Sequence, residues 1–218
     1  MPGVSATGED SSASPGVTVR AALAGDAERV AALLYESAAE KYDQFAGDRR
    51  HALALLERAF RGKGNTASRE TVRVAVIDGA VAGAIATFPS DEGDRRARRL
   101  LSIALRSLAP GRWSEARRIF RIGENATPPP PPAALYVDAL ATDPALRRRG
   151  AARALLADAE QRAREAGLAA VALDTGQGNL AGRALYESSG FVAVSERAPA
   201  GELPGVVAYV KRLSGRDP

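Results

Sequence analysis

Cysteine is absent from the 218-residue sequence, and histidine occurs only once, as His51. Without cysteine the chain has no disulfide, no thiolate zinc site and no cysteine nucleophile. A lone histidine also argues against a histidine-based metal site and against a Ser-His-Asp triad. We therefore expect chemistry that needs neither a metal nor a covalent intermediate on cysteine. The absence of cysteine is compatible with a cytoplasmic protein.

Long apolar runs are missing as well. No stretch reaches the roughly 18 consecutive apolar residues that indicate a transmembrane helix. Residues 1–16 are rich in Ser, Gly and Ala, and they lack the basic and apolar regions of a secretory signal. We expect a disordered tail over residues 1–16 and a single domain over residues 17–213, with a cytoplasmic location and no membrane partner.

The net charge of +4 is concentrated in one segment. Residues 89–132 hold nine arginines and five acidic residues, so the rest of the chain is balanced. One hypothesis is that this segment binds nucleic acid or anionic lipid through a basic surface. Aromatic side chains are sparse in the segment, however, and acidic residues are interleaved with the arginines. We therefore expect no nucleic acid partner.

Hydrophobic patterning predicts a mixture of strands and helices. Apolar residues at positions 30, 33, 34 and 38 favour an amphipathic helix that begins near Asp26, a plausible N-cap. Asp78-Gly79 lies between two apolar runs and is typical of a β-hairpin turn. The predicted strands cover residues 17–23, 71–77, 81–88, 134–141, 169–173, 191–195 and 206–213, and the other predicted helices cover 49–61, 95–108, 113–122, 151–166 and 180–188.

The most informative segment is residues 136–153, where an apolar strand leads through Asp143-Pro144 into an arginine- and glycine-containing turn and then a helix. The first turn of a helix has N–H groups without internal partners, and its dipole favours an anion. Gly150 permits close approach of a ligand to the backbone. Strand, basic turn and helix together predict a phosphate-binding site.

A second block, from Asn179 to Phe191, follows at some distance. Asn179 is well suited to cap the helix that begins after it. Tyr186 lies seven residues later, close to two helical turns, so the two side chains can share one face. From its spacing alone, Tyr186 is also compatible with a purely structural role, as a half-buried helix aromatic with its hydroxyl at the surface.

These two blocks carry a resemblance to a known family. The pattern Arg147-x-x-Gly150-x-Ala152 resembles the Gln/Arg-x-x-Gly-x-Gly/Ala motif of the GNAT N-acetyltransferase superfamily, and the Asn179–Phe191 block is similar to that family's Asn…Ala-x-x-Leu-Tyr-Glu-x-x-Gly-Phe block. The resemblance implies an α/β (α+β) domain with a mixed, mostly antiparallel central sheet, splayed fourth and fifth strands, and helices on both faces. Residues 89–132, which end in five prolines, then form a helical insertion between strands three and four.

The same resemblance implies acetyl-CoA as the co-substrate, without a metal. Its pantetheine arm would bind backbone groups of Leu140, Ala141 and Thr142 at the splayed strands. The equivalent of Asn179 also contacts CoA in this family. The pyrophosphate would lie on the turn and its helix, at Arg147, Arg148, Arg149, Gly150, Ala151 and Ala152.

The resemblance also assigns catalytic roles. The hydroxyl of Tyr186 would donate a proton to the departing CoA thiolate, and a general base would deprotonate the amine. Our candidate base is Asp138, which is two residues before Leu140 and is therefore expected on the same face of the strand. Asp143 and Glu36 compete with it. Asp138 is equally expected as a salt-bridged carboxylate at a strand edge.

We therefore expect an acyltransferase that moves an acetyl group from acetyl-CoA to a primary amine by direct attack. The acceptor is a small-molecule or peptide amine of unidentified class, and a homodimer is compatible with the sequence. A non-catalytic acyl-CoA-binding sensor is the main alternative, and a basic surface-binding protein is a third.

Overall fold

The computed structural model describes residues 16–126, 128–199 and 204–213. The tail expected to be disordered, residues 1–16, lies outside the described residues except for Gly16. Within the described parts, no helix is long and apolar enough to cross a membrane.

Over the described ranges, seven strands form one sheet in the order β1-β2-β3-β4-β5-β7-β6. The β4–β5 pair is parallel and every other pair is antiparallel, as predicted. Asp78 and Gly79 join β2 to β3 with φ of 51° and 79°, the positive values that a tight hairpin turn requires. The strands are β1 Val17–Ala21, β2 Val72–Ile77, β3 Ala80–Pro89, β4 Ala134–Thr142, β5 Ala170–Gly176, β6 Val192–Arg197 and β7 Val206–Arg212.

In the part of the chain that the structure describes, seven α-helices cover the two faces of this sheet. They are α1 Ala27–Ser37, α2 Ala39–Ala46, α3 Arg49–Arg61, α4 Gly93–Ser107, α5 Trp113–Ala126, α6 Ala151–Glu165 and α7 Leu180–Ser188. Helices α1 to α5 share one buried apolar cluster with one face of the sheet, and α6 and α7 share a second cluster with the other face. The predicted two-sided arrangement is therefore confirmed.

Two local predictions about the first helix are wrong. The helix stops at Ser37 because Ala38 leaves the helical region, with φ −157° and ψ 50°, and a separate helix α2 then begins that the sequence pattern did not reveal. Asp26 precedes α1, but its carboxylate does not cap it. The carboxylate instead accepts hydrogen bonds from Arg20 and from the backbone N–H of Leu23, and an ion pair of this geometry outcompetes the cap.

The segment between β3 and β4 folds as the predicted helical insertion. Helices α4 and α5 bury Ile103, Ala104, Ala116 and Ile119 in the same cluster as α1–α3. The insertion therefore packs against the helices on one face of the sheet, and it closes through prolines that lead back into β4.

The parallel β4–β5 pair is short. Its register runs only from Ala134 opposite Ala170 to Val137 opposite Leu173, although both strands continue beyond these residues. β4 stays paired with β3 on its other side, and β5 stays paired with β7. The carboxyl ends of two neighbouring strands therefore separate and leave a gap in the sheet, as the predicted splay requires.

The packing that supports this gap can be tested with two leucines. Leu155 of α6 is fully buried beneath the sheet, whereas Leu180 at the start of α7 is 73% exposed. We expect Leu155→Ala to lower the free energy of unfolding by about 3 kcal/mol, because it removes buried apolar contacts and leaves a cavity. Leu180→Ala should change it by less than about 0.5 kcal/mol. Urea unfolding measures both values, and equal losses in the two variants would contradict this account of the core.

Candidate functional site

A cavity of about 470 Å³ lies at the gap between β4 and β5. The junction of α1 and α2 forms one wall, the ends of β4 and β5 form the floor, and α7 contributes the rest. Its lining residues are 36–42, 137–140, 173–176, 179, 186, 204 and 206. Of the residues predicted for the site, the fold brings Asp138, Leu140, Asn179 and Tyr186 together here.

The backbone of β4 offers free hydrogen-bonding groups at this gap. The N–H of Asp143 donates to the carbonyl of Ala82 in β3 at 2.8 Å. Because alternate residues of an antiparallel pair face the partner strand, Ala141 also turns its N–H and C=O toward β3. Leu140 and Thr142 then face the side from which β5 has departed. Of the three residues predicted for pantetheine contacts, these two have the free groups, and Ala141 does not.

A β-bulge places Asp138 differently from the sequence expectation. The register of β3 with β4 shifts between Ala86 and Thr87, so Asp138 is an extra residue without a partner in β3. The simple alternation of faces is broken at this point, and the prediction that Asp138 and Leu140 share a face is wrong. Leu140 packs with the cluster beneath α6, while Asp138 lines the cavity beside α2.

The surroundings of Asp138 perturb its ionisation. The side chain is exposed within the cleft, yet the surrounding protein desolvates it, and this desolvation raises its pKa above the ordinary value. The positive charge of Lys41 partly offsets the increase, and the negative charge of Asp174 adds to it. A hydrogen bond with the buried Thr66 has a smaller, lowering effect.

A second carboxylate, Asp174 of β5, lies close to the first and was not predicted as a site residue. Desolvation raises its pKa, and the hydroxyl of Tyr136 donates a hydrogen bond to it that partly opposes this rise. Burial in turn raises the pKa of Tyr136 well above its ordinary value. The available sequence signal was a single aspartate that follows the apolar run Ala170–Leu173. The approach of Lys41, Thr66 and Tyr136 to the two carboxylates depends on tertiary packing.

Tyr186 reaches the cavity from α7. It is buried, and its ring lies 6.1 Å from the ring of Phe191 and 5.8 Å from that of Tyr209, which fixes its orientation. Desolvation, assisted by the charge of Asp174, raises the pKa of Tyr186 to about 12. Its hydroxyl therefore stays protonated at neutral pH and can act as a hydrogen-bond donor toward the cavity.

Asn179 occupies the predicted position at the start of α7. Its side-chain oxygen accepts from the backbone N–H of Gly182 at 3.0 Å, which confirms the N-cap. Its amide nitrogen donates to the hydroxyl of Thr175 at 2.9 Å. Asn179 lines the cavity, and one amide hydrogen is left for a ligand.

The basic turn before α6 forms the second part of the site. Arg148 and Gly150 both adopt positive φ, 61° and 87°, so the chain curls sharply before the helix begins at Ala151. Among the described residues, no backbone hydrogen bond uses the N–H groups of residues 148–153. Arg147, Arg148 and Arg149 are exposed, and Arg149 contacts Asp78 at 2.7 Å. Ala151 is buried beneath the turn and Ala152 is half-buried.

The two competing candidates for a general base differ in placement. Asp143 accepts hydrogen bonds from Arg29 and from the backbone N–H of Ala145, and it does not line either large cavity. Its carboxylate therefore stabilises the turn after β4. Glu36 lines the first cavity but lies on its exposed side, 3.7 Å from Arg49.

A second cavity of about 540 Å³ meets the first one at the carboxylates of Asp138 and Asp174. Four residues line both cavities: Lys41, Tyr42, Asp138 and Asp174. The remaining walls of the second cavity come mainly from α4, α5 and the proline segment. The two carboxylates thus stand at the junction between a cavity in the sheet gap and a cavity under the insertion.

Comparison with known proteins agrees with this geometry. A family model described as "Acetyltransferase (GNAT) family" matches residues 31–191, which is most of the chain. A search of curated proteins by sequence finds no significant match.

Solved structures share the fold at low sequence identity. One described as "The crystal structure of acetyltransferase" is 20% identical, has a TM-score of 0.68, and covers 90% of this chain and 100% of its own. An N-acetyltransferase from Staphylococcus aureus Mu50 is 18% identical, with a TM-score of 0.68 and coverages of 89% and 100%. The ribosomal-protein-S18-alanine N-acetyltransferase from Escherichia coli is 14% identical, with a TM-score of 0.53 and coverages of 92% and 97%.

The raised pKa of Asp138 leads to a prediction about stability. Because the folded protein holds a proton on Asp138 more tightly than the unfolded chain does, ionisation of this group costs folding free energy at neutral pH. We expect Asp138→Asn to raise the midpoint of thermal unfolding at pH 7. The gain should shrink as the pH falls through the raised pKa toward the ordinary value of 3.8.

Asp26→Asn is the matched control, for which we expect the opposite change in stability at pH 7. The hydrogen bond from Arg20 lowers the pKa of Asp26, so this carboxylate contributes stability at neutral pH that is lost as the pH falls. The substitution should therefore lower the unfolding midpoint at pH 7. If Asp138→Asn destabilises the protein at pH 7 as Asp26→Asn does, the assignment of a desolvated Asp138 is wrong.

Proposed function

The chain belongs to the acetyltransferase (GNAT) family and is an acyltransferase, and from this premise we propose that it transfers an acetyl group from acetyl-CoA directly to a primary amine. One observation carries the proposal. The parallel β4–β5 ladder ends after Val137 and Leu173. The gap beyond it is lined by free backbone groups of β4, by Tyr186 and by the carboxylates of Asp138 and Asp174. An extended ligand with amide groups can bind such a gap as an added strand does.

The turn before α6 supports the binding of a pyrophosphate. The free N–H groups of residues 148–153 and the dipole of a 15-residue helix favour an anion at Gly150–Ala152. Arg147 and Arg148 are exposed beside these groups and supply charge-assisted contacts. Arg149 can contribute as well if it exchanges its ion pair with Asp78. Residues 147–152 and the gap thus fit the two ends of acetyl-CoA.

Asp138 is proposed as the general base. Acetyl-CoA supplies a thioester, and a neutral amine is required to attack its carbonyl carbon. The raised pKa of Asp138 makes its carboxylate a stronger base than that of an ordinary aspartate. Asp138 accepts a proton from the amine, directly or through water, and later releases it to solvent.

The N–H of Leu140 and the hydroxyl of Tyr186 act on the two other reacting atoms. The N–H of Leu140 faces the gap and donates to the carbonyl oxygen as negative charge develops there during formation of the C–N bond. The hydroxyl of Tyr186 donates to the sulfur as the C–S bond breaks. Because its pKa of about 12 exceeds the roughly 8.5 of a thiol, Tyr186 stabilises the departing thiolate chiefly as a hydrogen-bond donor, and solvent protonates the sulfur as it separates.

Binding of acetyl-CoA should raise the thermal unfolding midpoint. A ligand at 100 times its Kd adds about 2.7 kcal/mol, which corresponds to roughly 5–10 °C for a chain of this length. Gly150→Glu should abolish the shift because it places a negative side chain at the proposed pyrophosphate site. Gly167→Glu is the control, since Gly167 also has positive φ, 67°, and lies beyond the opposite end of α6.

The outcomes separate the functional alternatives. A shift in Gly167→Glu and none in Gly150→Glu supports the proposed binding site. No shift in the unmodified protein at any acetyl-CoA concentration would contradict the proposal and direct attention to the basic surface of the insertion. A shift without acetyl transfer to any amine would favour the sensor alternative.

Tyr186→Phe tests the role of the hydroxyl. We expect kcat to fall by about 100-fold, because the departing sulfur loses its donor while the ring contacts remain. The shift in unfolding midpoint caused by acetyl-CoA should persist. Thiol release measured by a chromogenic disulfide reagent gives kcat, and an unchanged kcat would show that Tyr186 only packs between Phe191 and Tyr209.

A further inference from the structure

The second cavity has one polar end and a long apolar wall. At its polar end lie Asp138, Asp174, the ammonium group of Lys41 and the hydroxyls of Tyr42 and Tyr136, next to the sheet gap. Away from this end the lining is dominated by apolar side chains from α2, β3 and the insertion: Phe45, Phe88, Leu100, Leu101, Ile119 and Phe120. A ligand in this cavity therefore meets a cluster of charged groups at one end and a largely apolar surface elsewhere, where Asp94 and Arg197 are the further charged side chains of the lining.

The proline segment closes one side of this cavity as a fixed wall. Pro128, Pro129 and Pro130 line it, and Pro128 is buried. The hydroxyl of Ser90 donates to the carbonyl of Pro131 at 3.0 Å and ties the segment to the end of β3. Consecutive prolines favour a stiff extended backbone with no N–H donors. This wall therefore offers apolar surface and no donor to a polar ligand.

Charges around the cavity restrict the ligand further. Asp138 and Asp174 attract a single cationic amine toward the junction, where the proposed base stands. A second ammonium group would lie among the apolar side chains, with Asp94 as the other carboxylate of the lining. Lys41 and Arg197, which also line the cavity, add positive charge that disfavours a polycation there.

We propose that the cavity under the insertion is the acceptor site and that it takes a monoamine whose amine is joined by a short spacer to one bulky apolar or aromatic group. The amine would lie at Asp138 and Asp174, within reach of the sheet gap. The apolar group would lie against α4, α5 and the proline wall. This inference rests on the proposed acetyl transfer and specifies its acceptor.

A panel of amines tests the proposal with the full chain. It contains 2-phenylethylamine and tryptamine as apolar monoamines, spermidine as a polycation, and glycine and lysine as amines that carry a carboxylate. Thiol release from acetyl-CoA is measured for each, and the acetylated product is confirmed by mass spectrometry. We expect kcat/KM for the apolar monoamines to exceed that for the other classes by at least about tenfold.

Two aromatic truncations on the same helix provide the structural control. Phe120 of α5 lines the second cavity, whereas Trp113 of α5 does not. Phe120→Ala should raise KM for 2-phenylethylamine by about tenfold or more, because the apolar group loses its contact, and it should change kcat less. Trp113→Ala should leave KM unchanged. In both variants the unfolding shift caused by acetyl-CoA should equal that of the unmodified protein.

Failure of this inference is distinguishable from failure of the proposed function. If spermidine, glycine or lysine is the best acceptor, or if Phe120→Ala and Trp113→Ala have the same KM, the acceptor assignment is overturned while acetyl transfer stands. If acetyl-CoA binds but no amine in the panel releases thiol, the acceptor assignment fails, whereas acetyl transfer fails only if no other primary amine, including peptide amines, is acetylated.

Discussion

The separation of β4 from β5 is the constraint on which the rest of the site depends. The two strands pair for only four residues, and each then follows its other neighbour, β3 or β7. Backbone groups of β4 that would pair with β5 in a closed sheet face a cavity instead. The bulge at Asp138 lies where the β4–β5 ladder ends. It adds one residue to β4 and turns the Asp138 carboxylate toward the face of the sheet that α1 to α5 cover.

Electrostatics follow from this geometry. Asp138 and Asp174 emerge from adjacent strands just where the ladder ends, so two carboxylates share one partly desolvated space. Desolvation raises the pKa of both, and the charge of Asp174 raises that of Asp138 further. The hydrogen bond from Tyr136 opposes the rise for Asp174, and Lys41 opposes it for both. The arrangement places both carboxylates between the cavity in the sheet gap and the cavity under the insertion, and we expect it to lower stability at neutral pH.

Local sequence patterns predicted the parts of the site that depend only on residues close together in the sequence. The helix Leu180–Ser188, its Asn179 cap and the Asp78-Gly79 hairpin turn agree with the structure because each follows from turn or capping chemistry within a few residues. The break at Ala38 and the bulge at Asp138 have no comparable local signal. Asp174, Tyr136 and Thr66 join the site only through strand pairing and helix packing, which periodicity does not specify.

The most direct measurement is a crystal structure of the chain with CoA. The account predicts that the pantetheine arm lies between the ends of β4 and β5 and bonds to backbone groups of Leu140 and Thr142. The sulfur should lie near the Tyr186 hydroxyl, and the pyrophosphate should lie on the N–H groups of residues 148–152. A CoA molecule bound outside this gap, or a β4–β5 ladder that continues beyond Val137 and closes the gap, would contradict it.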